Sequence, residues 1–150
     1  MGWKAMRATE PRIVRAEDAP PHPLHGNGRI RRLIYPATVA SARIFIGLAE
    51  VPPGEAPHVF HRHSSETIGE VQLEYAPDFE EFYYVVEGEG TMQWKPEAGG
   101  LTEVAVKAGD SIYMPPGVVE HRIFNSGKRP LKVLYGGSPP ATITKLAAIS

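Results

Sequence analysis

The chain has 150 residues, sixteen Lys/Arg against seventeen Asp/Glu, a formal net charge of −1 and no cysteine. That length suits one domain burying roughly two-thirds of its unfolded surface, and the near-neutral balance provides no electrostatic footprint for nucleic acid. The missing cysteine excludes disulfides, thiolate nucleophiles and thiolate metal ligands; with no apolar run approaching the roughly 18 residues of a span and no signal-peptide core, a cytoplasmic protein without a membrane partner is expected.

Glycine and proline, fifteen each, are spread between short apolar runs, a pattern of many tight turns. Residues 1–35 read as an N-terminal arm: seven Lys/Arg face three acids, and Pro11, Pro20, Pro21 and Pro23 interrupt any regular element. Residues 36–140 read as one β domain, and 141–150 as a C-terminal tail. Within the domain, Arg43 to Val51 is a strongly apolar strand stopped by Pro52-Pro53-Gly54. From Ser64 to Gly90 there are eight acids and no Lys or Arg. The basic arm and this segment read first as two solvated surfaces, and alternatively as an arm lying against the segment within one chain or across a dimer. Val71, Leu73 and Tyr75 alternate there with Glu70, Gln72 and Glu74, as in a strand. Glu81 to Val86 is an aromatic and β-branched strand ending at the turn 87–90. Thr91 to Lys95 returns, Leu101 to Lys107 alternates, and Ser111 to Met114 is short. Val118 to Asn125 and Leu131 to Tyr135 complete the set. Strands of even spacing with turns between them predict an all-β antiparallel sandwich or barrel.

Two blocks carry chemistry. In a strand, residues i and i+2 share a face about 6.6–6.8 Å apart, so His61 and His63 can point inward together while Arg62 points out. Two such imidazoles are adjacent ligands for a metal at roughly 2.0–2.2 Å. His58, three residues earlier and so on the opposite strand face, is a further candidate, expected to stand behind the ligands or at the surface. The second block turns at Gly109-Asp110, buries Ile112 and Met114, corners at Pro115-Pro116-Gly117, and then presents His121, with Asn125 four residues on along the same face.

The two blocks together resemble the motifs of the cupin superfamily. Gly109, Pro115, Gly117, His121 and Asn125 match the second motif, with three residues instead of two between Gly117 and His121. Gly54, His61 and His63 match the first, with one extra residue before the first histidine. The family's glutamate follows its histidine pair by three or four residues; here Glu81 lies eighteen beyond His63, and Glu66 is nearer by count. Glu81 opens the strand that ends in a Glu-Gly turn, as the family's glutamate does, and a one-residue slip would send Glu80 to the other face. Ser64 to Glu80 then reads as an insertion containing an extra strand.

The resemblance, over about Ala42 to Gly136, implies a cupin double-stranded β-helix (jelly-roll barrel) with an N-terminal arm. It implies one divalent metal ion (Fe, Mn, Ni, Zn, Co or Cu) held by His61, His63, Glu81 and His121, with two octahedral positions left for water, dioxygen or a chelating substrate. Tyr83, Gln93, Met114 and Ile123 are the expected pocket residues. The implied activities are dioxygenase, decarboxylase or lyase, and isomerase chemistry on a small polar molecule, carboxylate-bearing or enolisable. A homodimer is also implied. The rival reading is a non-catalytic small-molecule or sugar binding module.

Overall fold

The structure, a computed structural model, describes residues 8–23, 29–39, 42–68, 71–117 and 119–145. After a 3₁₀ turn at Ala16–Asp18, the strands in chain order are β1 (His22–Pro23), β2 (Arg29–Ile34), β3 (Phe45–Val51), β4 (Ser65–Ile68), β5 (Val71–Glu74) and β6 (Glu80–Glu87). Then come β7 (Glu89–Lys95), β8 (Thr102–Lys107), β9 (Ser111–Met114), β10 (Glu120–Phe124), β11 (Leu131–Ser138) and β12 (Thr142–Lys145). Among the described residues no helix is long and apolar enough to cross a membrane.

The period-2 pattern is cleanest in β6, where Glu81, Tyr83 and Val85 are buried and Phe82, Tyr84 and Val86 are exposed. The same alternation buries Ala49 and Val51 in β3, Leu131 and Val133 in β11, and His121 and Ile123 in β10. These inward rows belong to two antiparallel sheets, one ordered β1-β2-β3-β11-β6-β9 and one ordered β10-β7-β8. Their inner faces share one core, in which Val51, Val85, Met92, Ile123, Leu131 and Val133 are almost fully buried. This is the all-β jelly-roll barrel expected.

Two segments are more regular than their composition suggests. β2, inside the segment read as an arm, pairs along β3 as part of the large sheet. Three arginines in six residues hide its apolar positions, yet Ile30 is buried. The 3₁₀ turn is fastened to this strand by the Arg31 guanidinium, which donates to the carbonyls of Ala16 (3.2 Å) and Ala19 (2.6 Å). Residues 1–7 and 24–28 of the arm lie outside the described residues. In the acidic segment the expected strand is β5, and it is the centre of a third sheet, β12-β5-β4. The segment read as a tail therefore supplies a strand, β12, that covers the inserted hairpin.

Motif residues that carry no metal-binding atom have a visible structural purpose. Gly109 has φ +95°, a left-handed conformation that any side chain would strain, and its N–H donates to the Val85 carbonyl at 2.8 Å. Asn125 is fully buried and fully used. Its Nδ2 donates to the carbonyls of Val51 and Arg129, both at 2.8 Å, and its Oδ1 accepts the Gly127 N–H at 3.0 Å. Its backbone bonds Gly54 and Glu55 as well. The side chain thus ties the end of β3, and the turn leading to His61, to the end of β10. Asn125→Ala should cost about 1–3 kcal/mol, because the buried Val51 carbonyl loses its partner along with the part-buried Arg129 carbonyl and Gly127 N–H. Chemical denaturation checks this; a midpoint unchanged from the parent protein would show that the clamp is dispensable.

Candidate metal centre

The two histidine blocks meet through a single pair of backbone hydrogen bonds. His61 N–H donates to the His121 carbonyl (3.2 Å) and His121 N–H to the His61 carbonyl (3.0 Å). Residues opposed in this way project side chains from the same face. The segment His61–His63 is not the strand its spacing predicts. Only His61 makes the bridge, and the chain bends at once, with Ser64 N–H donating to the Arg62 carbonyl, to enter β4. The inward and outward alternation nevertheless survives. Arg62 points out to Glu120 at 3.5 Å, and Phe60 packs outside under the Arg122 guanidinium, 4.5 Å from its ring centre.

Inside, the ring centres of His61, His63 and His121 lie 4.7–5.1 Å apart. Their ligand nitrogens all fall within 4.8 Å of one another. Glu81, on β6, completes the group from the other sheet. Its Oε1 is 3.2 Å from His63 Nε2 and 3.5 Å from His121 Nε2. These three atoms are buried, close and still without an aligned hydrogen bond. They face one another across a common point, as donors around an ion do. The His121 Nδ1 proton is directed at the Val119 carbonyl, 2.9 Å away, which leaves the Nε2 lone pair facing that point. Glu80, one residue from Glu81, is exposed, and its carboxylate accepts the Tyr113 hydroxyl at 3.1 Å. Glu66 stands opposite Leu73 in the β4–β5 pair; its side chain lies outside the description.

Burial by itself would raise the Glu81 carboxyl, but the adjacent His121 and His63 outweigh it and hold the group below the usual carboxylate range. Burial pushes the His61 imidazole far down, helped by the neighbouring His58 and His121. His58 does not follow the alternation expected of it. Residues 52–60 form no strand, so facing by count does not apply, and its Nδ1 lies 2.7 Å from His61 Nδ1. The Val59 carbonyl stands as acceptor beside both rings, 2.8 Å from His58 Nδ1 and 3.3 Å from His61 Nδ1.

Beside this group lies a cavity of about 120 Å³, lined by His61 and Glu81 on one side. Tyr83 and Ile123 are among its lining residues. Burial and the nearby Glu81 charge keep the Tyr83 phenol far above its ordinary titration range, a neutral donor. Met114, paired opposite Glu81, is packed in the core and is not among the lining residues. Gln93 is a correction. It stands opposite Arg122 on the outer face of β7, where its Oε1 accepts from Arg122 Nε at 2.7 Å and its Nε2 donates to Glu103 at 2.5 Å. The inward positions of β7 are Met92 and Trp94, so Gln93 is one residue out of phase with the pocket.

Sequence reasoning missed an aromatic wall. Phe79 and Tyr75 sit 4.8 and 5.0 Å from the His63 ring centre, and Phe45 stacks on Phe79 at 5.7 Å. Tyr75 continues the Val71–Leu73 alternation and Tyr135 the Leu131–Val133 alternation, so both carried a usable signal. Phe79 follows a turn and carried none.

The family model for the cupin domain matches residues 69–136, a stretch that holds Glu81 and His121. The chain is 33% identical over 111 residues to the uncharacterised protein MJ1618 of Methanocaldococcus jannaschii, covering 74% of this chain and 73% of that protein. It is 30% identical over 136 residues to polyketide synthase CurC of Streptomyces cyaneus, covering 91% of this chain and 75% of that protein. Its fold is similar to that of a predicted oxalate decarboxylase of Thermotoga maritima, with TM-score 0.64, 21% identity and coverage of 85% and 99% of the two chains. It is also similar to a Cupin 2 conserved barrel domain protein of Salinispora arenicola, with TM-score 0.57, 20% identity and coverage of 88% and 90%. The chain belongs to the cupin superfamily.

The metal-free protein should lose stability as pH falls below 6.5, because burial holds both His58 and His61 neutral in the folded chain. Burial lowers the His58 imidazole from 6.5 to about 4. Between those values the unfolded chain binds a proton that the folded chain refuses, so stability decreases with falling pH and the His58 contribution levels off below about 4. Glu81, depressed below its ordinary 4.5, adds a loss in the same direction only at lower pH. Thermal unfolding of chelator-treated protein should therefore show Tm falling from pH 6.5 towards 4, with a shallower slope in His58→Gln. Superimposable slopes for the two proteins would show that His58 is solvated.

Proposed function

We propose that this protein is a metal-dependent cupin enzyme acting on a small molecule that is carboxylate-bearing or enolisable. The observation that carries the reading is the convergence of His63 Nε2, His121 Nε2 and Glu81 Oε1, all buried and without hydrogen-bond partners, beside His61 at the wall of a cavity. Burying an unpaired polar atom costs roughly 1–3 kcal/mol. Three together at one point are accounted for by a divalent cation, for which neutral imidazole and carboxylate are suitable donors. His61, His63, His121 and Glu81 would hold it.

When bound, such an ion supplies Lewis-acid polarisation of a carbonyl or enolate oxygen and, if redox-active, a route for electrons to dioxygen. The chain's own residues set what reaches it. Ile123 and Val133 give the cavity an apolar side that excludes water, and the neutral Tyr83 phenol beside Glu81 would donate a hydrogen bond to a substrate oxygen. An enolisable substrate accords with the name of the relative CurC, a polyketide synthase, since polyketide chains carry acidic protons between carbonyl groups. An ion held there would serve dioxygenase, decarboxylase or lyase, and isomerase chemistry. A cytoplasmic location and a homodimer belong to the same proposal; the exposed Phe82, Tyr84, Val86 and Tyr113 on the outer face of β6 and β9 support the latter.

Elemental analysis tests the reading. The purified protein should carry close to one equivalent of a divalent transition metal, and Glu81→Gln should weaken that binding at least tenfold, while Glu66→Gln leaves it unchanged. Metal-free protein whose Tm does not respond to added Mn, Fe, Co, Ni, Cu or Zn would instead favour the non-catalytic binding module.

A further inference from the structure

We propose that Arg32 and Tyr135 form an anion-recognition subsite in the cavity, which selects a substrate with an apolar or aromatic body and a carboxylate held away from the metal-binding end. The inference rests on the cavity being the substrate site, and it concerns residues outside the four candidate ligands.

The sheet register places the groups. Arg32 stands opposite Gly47, Gly47 opposite Tyr135, and Tyr135 opposite Tyr83, so one row crosses β2, β3, β11 and β6 on the inner face. The next row towards the histidines contains Glu81, opposite Gly137, itself opposite Phe45. Two residues along a strand is about 6.6–6.8 Å, which separates the Arg32 row from the Glu81 row by the length of a small aromatic body.

Gly47 explains how the phenol reaches the arginine. A Cβ at position 47 would lie 2.2 Å from Tyr135 Cζ and 2.3 Å from its hydroxyl oxygen. Only glycine lets the Tyr135 side chain lie flat across β3, towards β2. Arg32 and Tyr135 both line the cavity. They also interact electrostatically. Burial raises the Tyr135 phenol, and the Arg32 charge opposes that rise.

Arg32 is also unspent. Its neighbour Arg31 is committed to two backbone carbonyls. Among the described residues Arg32 has no ion pair and no hydrogen bond, although it is only partly exposed. A guanidinium in a largely apolar wall is a costly group unless an anion completes it. Its planar fork matches a carboxylate in a bidentate manner, and the Tyr135 hydroxyl is an additional donor beside it.

Benzoate and phenylacetate, with benzamide and phenylacetamide as neutral counterparts, separate the charge from the shape. Their affinities are measured by titration calorimetry at pH 7.5 on chelator-treated protein, so that an ion does not bind the carboxylate. The parent protein should prefer each acid to its amide at least tenfold. Arg32→Gln should abolish that preference, with amide affinity and metal stoichiometry unchanged. Tyr135→Phe, which keeps the packing over Gly47, should weaken acid binding severalfold and leave the amide unaffected. Equal binding of acid and amide by the parent, or a preference that survives Arg32→Gln, overturns the proposal. Because metal content is measured separately in the same variants, loss of the metal centre and failure of the anion subsite give different results.

Discussion

The interior of this barrel is apolar, yet it holds two imidazole nitrogens and a carboxylate oxygen within 3.2–3.5 Å contacts that are not hydrogen bonds. An ordinary core would replace such groups or pair them, because unsatisfied polar atoms are expensive in a low-dielectric interior. The arrangement is sustained because each group is held from outside the cluster: His121 through its Nδ1 to a backbone carbonyl, His61 through its bridge to His121 and its contact with His58, Glu81 by its place near the start of a strand paired on both sides. The frame is built so that the inward atoms need not find partners among themselves.

That frame depends on the loop from Pro52 to His63 staying in place, since it has almost no regular structure of its own. It is secured at three positions. Asn125 holds its entry, the His61–His121 bridge holds its end, and Phe60 lies against Arg122 on the outer surface. The inserted hairpin then closes the side of the site with Tyr75 and Phe79 against the His63 ring. The insertion is therefore part of the cavity wall, and its Leu73 and Tyr75, like Arg32 and Tyr135 on the large sheet, line the space in front of the histidines.

Much of this was readable from residue order. The β6 strand alternates so strictly that the facing of Glu81 against Glu80 follows from it, and the turn chemistry of Gly109 marks the β8–β9 corner. What was misread has common causes. β2 was concealed by three arginines, and β12 by a short tail whose partner lies about seventy residues earlier. Gln93 lies in the strand after the turn, and its phase on β7 turns it to the outer face, where Arg122 and Glu103 bond it. His58 was assigned a face by a strand rule in a segment that is not a strand.

The sequence by itself determined the all-β class, the barrel motifs and the three histidines, because period-2 alternation, turn glycines and spacing are local properties of a chain. Only the tertiary structure decided which carboxylate stands beside His63 and His121, and which aromatic and cationic residues line the cavity. Those are cross-strand relations between β2, β3, β6 and β11, fixed by register between segments up to a hundred residues apart, and no local pattern encodes register across that distance.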